Sequence, residues 1–275
     1  TSGKWTSRLE NNLSNVVVKL TSDHVFETLR IQNNIRVCVR FFIWSVCRNV
    51  YECTSGHACC RKFMRVCDLL IRRVGKKRQF DEFWLVLKGM RKKSVSIPSE
   101  AFTVLIKSYG QASMVFEGLQ TFEKMSDFNC NPSLATFNAA LELACKANLL
   151  KDAEKIYQGI LSANLRPDKI SMNAFLFGLG RGGKLQEARN YLTKCEEMLF
   201  FADRISYTSL ISGLCKAGHM NEAHHALEDM EKAGIFPDIV TYSALMDGLC
   251  KAGQLEKSMS LFSKLKSKGC IPNVF

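Results

Sequence analysis

IVTYSALMDGLCKAGQLEKSMSLFSKLKSKGCIPN, residues 239–273, holds two amphipathic helices within 35 residues. In its first half Tyr242, Leu245, Met246 and Leu249 recur at i, i+3, i+4 and i+7, one face of a helix. In its second half Leu255, Met259, Phe262 and Leu265 repeat the pattern. Gly253 separates the halves and suits the left-handed position that follows a helix C-terminus. Pro272 ends the segment, because proline lacks the N–H that a helix interior needs.

The same punctuation extends outward. All five prolines, Pro98, Pro132, Pro167, Pro237 and Pro272, lie at one phase, separated by 34, 35, 70 and 35 residues. Anchored on them, the chain divides without gaps into units 99–133, 134–168, 169–203, 204–238 and 239–273. Gly183 and Gly218 fill the slot of Gly253, with Ser113 and Asn148 in the first two units. Unit 169–203 has Ala202 where proline is expected, but Asp203 follows in register. A helical pair this short cannot bury its apolar faces alone, so neighbours must stack. The expected fold is all-α, a superhelical solenoid of helix–turn–helix repeats. Gly178, Gly213 and Gly248 recur inside the first helices, where glycine costs about 1 kcal/mol. Their recurrence predicts close helix approach.

Composition narrows the function classes. The net charge of +12 is unevenly placed: residues 1–98 carry 19 Lys/Arg against 7 Asp/Glu, and residues 99–275 carry 19 against 19. That asymmetry suits a polyanionic partner. The most apolar stretch, Val37 to Cys47, is short and interrupted by Arg40, so no membrane partner is expected. Of the twelve cysteines, Cys145, Cys215 and Cys250 share one repeat phase inside apolar helical patterns. They read as small hydrophobes in a reducing compartment. The cluster Cys53, His57, Cys59, Cys60, Cys67 lacks paired two-residue spacings, and no metal or cofactor is expected.

Two further motifs dissolve into the repeat. Gly178 to Lys184, GLGRGGK, imitates a phosphate-binding loop but lacks a preceding strand and has Leu185 where Ser or Thr is needed. The next units read GLCKAGH and GLCKAGQ in that slot, a helix–turn–helix junction. His219, His224 and His225 have no nucleophile or metal partner and read as exposed or half-exposed helix residues. No catalytic set recurs, so the expected protein is not an enzyme.

Two columns are polar in every unit. The fifth residues are Thr103, Asn138, Asn173, Thr208 and Ser243; the last are Ser133, Asp168, Asp203, Asp238 and Asn273. The last column suits helix N-caps. The fifth is harder to explain, since Asn and Thr are poor helix-interior residues. An Asn amide offers a donor and an acceptor that complement the uracil edge, and a small hydroxyl can meet a purine edge.

With SYTSLISGLCKAGHMNEA at 206–223 and TYSALMDGLCKAGQLEKS at 241–258, the chain resembles the pentatricopeptide repeat family, of the plain 35-residue type. Tetratricopeptide repeats are similar but have a 34-residue period and other fixed positions. The resemblance covers 99–273. Residues 64–98 resemble a degenerate repeat whose apolar faces are Leu69, Leu70, Phe80, Trp84, Leu87 and Met90. Residues 25–63, with Arg40-Phe41-Phe42-Ile43-Trp44, resemble the divergent helices preceding such arrays. Residues 1–24 would be a poorly structured or post-transit segment, and 274–275 the start of a truncated repeat. The resemblance implies a sequence-specific single-stranded RNA binder in organellar RNA metabolism (stabilisation, processing, splicing or translation), one base per repeat. It implies a mitochondrial or chloroplast location in plants, and protein partners in RNA processing. The fifth and last residues would read a base, with Ala135, Ile170, Ile205 and Val240 at the second position sandwiching it. Glu100 occupies that position in the first unit. The implied core is 5′-(purine)-U-U-G-A-3′, from the pairs Thr103/Ser133, Asn138/Asp168, Asn173/Asp203, Thr208/Asp238 and Ser243/Asn273. The other reading of these columns is helix caps on a protein–protein scaffold.

Overall fold

The structure, a computed structural model, describes residues 21–47, 65–67, 69–71, 73, 80–92, 97–197 and 201–267. Most of segment 1–24, residues 48–63, parts of 64–98, Asn273 and residues 274–275 lie outside these, as do Cys53, His57, Cys59 and Cys60. Among the described residues every regular element is a helix. The chain divides into two compact units, Thr1–Thr136 and Phe137–Phe275.

The first unit contains α1 (Ser22–Ile31), α2 (Ile35–Cys47), α3 (Phe80–Lys92), α4 (Ser99–Gln111), α5 (Val115–Glu123) and a 3-10 turn at Ser126–Phe128. Thr21 caps α1, its hydroxyl accepting from the His24 N–H. Phe42, Phe83 and Phe102 are fully buried at the centre of its core. Of the apolar residues read in 64–98, Leu70, Phe80, Leu87 and Met90 are buried, and Leu69 and Trp84 partly so. Trp84 is half-buried, and its indole N–H donates to the Tyr109 hydroxyl at 3.0 Å, beside the stacked Phe80–Tyr109 rings. Phe41, Phe42 and Trp44 are buried on α2. No helix among the described residues is long and apolar enough to cross a membrane.

α6 (Leu134–Lys146) begins at the end of the first unit. The second continues with α7 (Leu150–Ser162), α8 (Lys169–Arg181), α9 (Leu185–Glu197), α10 (Arg204–Ala217), α11 (Met220–Lys232), α12 (Ile239–Lys251) and α13 (Leu255–Ser267). Each hairpin turns at a left-handed residue: Asn148, Gly183, Gly218 and Gly253 have φ of 61°, 67°, 82° and 73°. The next N–H bonds back across the turn, as Lys184 does to the Leu179 carbonyl at 2.9 Å. This satisfies carbonyls that the helix end would otherwise orphan. Ser113, in the same slot of the first unit, has φ 60°. A second left-handed series closes the second helices at Asn129, Asn164 and Gly234.

The hairpins of the second unit are cemented by aromatic rings and by close backbones. Tyr157 of α7 stacks on Phe175 of α8 at 4.8 Å, and Tyr191 of α9 meets both edge-on. Cys145 Sγ lies where a Cβ on Gly178 would come within 2.5 Å, and Cys215 Cβ within 2.9 Å of one on Gly248. Between α8 and α10 the cysteine slot holds Gly180. There Gly180 and Gly213 face each other, and a Cβ on either would collide with backbone of the opposite helix. The close approach read from Gly178, Gly213 and Gly248 is therefore present, in two forms.

Two readings of the last unit need correction. Leu255, Met259 and Phe262 are exposed, and the buried face of α13 is Ser258, Leu261 and Leu265. Leu192 and Leu227, which correspond to Phe262, are 7% and 8% exposed because a further hairpin packs on them, whereas Phe262 at 44% has no such neighbour among the described residues. Cys250 is exposed for the same reason, unlike the buried Cys145 and Cys215.

Candidate functional site

The polar columns meet at the N-termini of the first helices. Asp168, Asp203 and Asp238 are extended N-cap residues of α8, α10 and α12. In each, Oδ1 accepts the backbone N–H three residues on: Ser171 at 2.8 Å, Ser206 at 3.1 Å and Thr241 at 3.0 Å. One carboxylate oxygen is thus committed to capping, and Oδ2 is left over.

The cap brings in a third column that the sequence reading missed. Thr136, Ser171, Ser206 and Thr241 are all fully buried hydroxyl residues, 35 positions apart. Three of them reach the fifth residue of the preceding unit. Ser171 Oγ donates to Asn138 Oδ1 at 2.5 Å, Thr208 and Thr241 share a 2.8 Å hydroxyl contact, and in the first unit Thr103 and Thr136 do likewise. The 35-residue recurrence of a hydroxyl was the available signal. Its connection to the fifth column, 33 residues earlier, exists only in three dimensions.

Asn138 and Asp168 are joined directly. Asn138 Nδ2 donates to Asp168 Oδ1 at 3.0 Å and Oδ2 at 3.2 Å. Burial alone would raise the Asp168 carboxyl, but the Ser171 N–H and hydroxyl, the Asn138 amide and the Ile170 N–H hold it below its ordinary 3.8. Asp203 is also lowered against burial, chiefly by Lys169, whose Nζ donates to Oδ2 at 2.7 Å. Asn173 Oδ1 is buried with no hydrogen-bond partner. Arg204 stands 3.8 Å from Asp238 Oδ2.

Exposure varies along the fifth column. Thr103 and Asn138 are buried, Asn173 and Thr208 half-buried, and Ser243 exposed; Asn273, its partner, lies outside the described residues. Ser133 is half-buried, its hydroxyl 3.0 Å from that of Thr136. Asn138 still has a second N–H and a second carbonyl lone pair for an outside group. At the second position Ile170, Ile205 and Val240 are 61%, 62% and 62% exposed, and Ala135 is exposed too. A β-branched apolar side chain held in water three residues before a polar one, hence on the same helical face, offers a flat contact beside a hydrogen-bonding group.

A cation column, also missed, shares that face. Lys146, Arg181, Lys216 and Lys251 recur every 35 residues in the last turns of their helices. Each is eleven residues beyond the second position, about 20° away around the helix and about 16 Å along it. Lys146 and Lys251 pair with Glu142 and Asp247 one turn earlier, and Lys216 lies 5.2 Å over the Phe177 ring.

Comparison with known proteins finds relatives of the repeat. The PPR repeat family model matches residues 202–251 and 237–275, and a PPR repeat model matches 100–130. A putative pentatricopeptide repeat-containing protein of Arabidopsis thaliana is 30% identical over 58% of this chain and 24% of its own length. Another from Arabidopsis thaliana, named as mitochondrial, is 26% identical over 62% of this chain and 31% of its own. The chain thus spans a quarter to a third of those relatives. The crystal structure of the pentatricopeptide repeat protein PPR10 in complex with an 18-nt psaJ RNA element aligns with 99% of this chain and 42% of that one, at 16% identity and a TM-score of 0.60. The structure of PPR10 from maize aligns with a TM-score of 0.53 at 17% identity, over 99% of this chain and 43% of that one.

Proposed function

This chain carries pentatricopeptide repeats, and on that premise we propose that it binds single-stranded RNA sequence-specifically, one base per plain 35-residue repeat, in organellar RNA metabolism. The observation that carries the reading is the juxtaposition, on successive first helices, of an exposed apolar second residue with a polar fifth residue tied to the last residue of its unit. Successive bases sandwiched by Ile170, Ile205 and Val240 present their edges in turn to Asn173, Thr208 and Ser243. Asn138 with Asp168 does the same beside Ala135. Thr103 with Ser133 takes the purine, Asn138/Asp168 and Asn173/Asp203 the two uracils, Thr208/Asp238 the G and Ser243/Asn273 the A. Lys146, Arg181, Lys216 and Lys251 lie where the phosphates pass. Relatives named as mitochondrial support that organelle over the chloroplast.

Occupancy is the mechanism: the array covers a transcript segment. Stacking contributes about 1–3 kcal/mol per base, against an association cost of about 4–15 kcal/mol. Five units therefore give at best modest affinity from stacking, with the phosphate contacts adding a salt-sensitive part.

The test is a swap in the fully tied unit. Asn138→Thr recreates the Thr/Asp pair of unit 204–238, so the preference at one position moves from U to G with the helical content unchanged. Affinities for oligomers differing at that base measure it. Equal binding of all four bases by both proteins would leave Asp168, Asp203 and Asp238 as caps alone, on a scaffold for another protein.

A further inference from the structure

Units 134–168 and 169–203 carry the same reading letters, Asn and Asp, but the structure sets them differently. In the first, the Asn138 amide is held at both ends, with Nδ2 on Asp168 and Oδ1 on the Ser171 hydroxyl. Turning it over would set a carbonyl oxygen against a carboxylate, so one orientation is fixed. In the second, Asp203 Oδ1 caps α10 with the Ser206 hydroxyl 3.1 Å away, as Asp168 Oδ1 caps α8 with the Ser171 hydroxyl 2.9 Å away, but Oδ2 takes Lys169. Asn173 is left with a buried, unpartnered Oδ1. The first residue of the unit also differs: position 169 is Lys, where position 134 is Leu. Arg204 addresses Asp238 in the same way, at the longer 3.8 Å, but its fifth residue is Thr208, whose hydroxyl has no amide face to turn over.

Resting on the base-reading function proposed above, we propose that Lys169 is a positioning residue that relaxes base choice: by occupying Asp203 Oδ2 it leaves the Asn173 amide free to present either edge. The chemistry names the consequence. Uracil offers a ring N–H donor beside a carbonyl acceptor; cytosine offers a ring nitrogen acceptor beside an amino donor. An amide fixed in one orientation distinguishes them, and one that turns over pairs with both. Unit 134–168 therefore selects U over C, and unit 169–203 accepts either pyrimidine.

The experiment measures the ratio of affinities for U and C at each of the two positions, using the full chain and labelled RNA oligomers built on purine-U-U-G-A. For the unmodified protein, C at the first pyrimidine weakens binding roughly tenfold and C at the second less than about threefold. Lys169→Leu raises the second ratio to about that of the first, while Lys169→Arg, which keeps the ion pair, leaves it low. Losing a cation lowers affinity for every oligomer together, so the ratio is unaffected by it. Lys169→Gln repeats the test should the leucine variant fold poorly, and circular dichroism checks both. A second ratio unmoved by both Lys169→Leu and Lys169→Gln, with Asn138→Thr still shifting the first position, overturns the role of Lys169 and leaves base reading standing. An equally high ratio at both positions in the unmodified protein overturns it too. Absence of base dependence at every position overturns the base reading and this proposal with it.

Discussion

Protonating Asp168 takes away a cap and an amide anchor at once. Its carboxyl lies below 3.8 in the folded chain, so its contribution to stability is complete above that value. It is lost as pH falls through the lowered folded-state value. Asp168→Ala should cost about 1 kcal/mol at neutral pH. The gap between the two proteins, read from urea midpoints, should narrow as the pH is taken down through the acid range. A gap independent of pH would mean that the carboxylate charge contributes nothing at this helix terminus. Asp203 shows the same lowering with a different main partner, Lys169, so its contribution should shrink at high salt as well.

At the scale of elements, the prediction concerns the crossing of α8 and α10. A methyl on Gly213 meets the Phe177 carbonyl and the Arg181 nitrogen, both backbone, so neither helix can yield by a rotamer change. Gly213→Ala should destabilise by about 1–3 kcal/mol as an overpacked contact. Gly234→Ala, in a left-handed turn with open space around it, should cost only the backbone strain of about 1–2 kcal/mol. Denaturant midpoints order the two. The denaturant slope of Gly213→Ala should stay at the parent value if the helices shift without unfolding. The helices and their turns were legible because each depends on neighbours within one turn of chain. Periodic apolar residues, prolines and the left-handed Gly183, Gly218 and Gly253 all act locally. Asp168, Asp203 and Asp238 were legible as caps for that reason. What sequence alone did not reveal depends on a second hairpin: the Ser171–Asn138 tie, the choice of Asp203 Oδ2 between Asn173 and Lys169, and the exposure of Leu255, Met259 and Phe262.

For the molecule as a whole, charge and base choice should separate experimentally. On the proposed reading the cations at 146, 181, 216 and 251 would act on phosphates irrespective of sequence, and each phosphate contact on a single strand contributes about 0.7 to the slope of log affinity against log salt. Lys216→Gln should lower that slope by about 0.7, with the ratios among oligomers unchanged. Titrations across a salt series check both, and a change in the ratios with an unchanged slope would place Lys216 among the base-reading groups. The basic excess of residues 1–98 should add to the slope as well.

The facing glycines of α8 and α10 also bear on re-engineering. Arrays with one base per unit invite cutting and pasting, each unit a movable letter. Hairpin 169–203 resists that treatment, because Gly180 leaves out the side chain that Cys145 and Cys215 carry and takes the Gly213 backbone in its place. Moved without unit 204–238, it would have to meet a glycine in the Gly213 slot again or clash with the side chain found there. In any redesigned array, Gly180 and its facing glycine would have to be kept together.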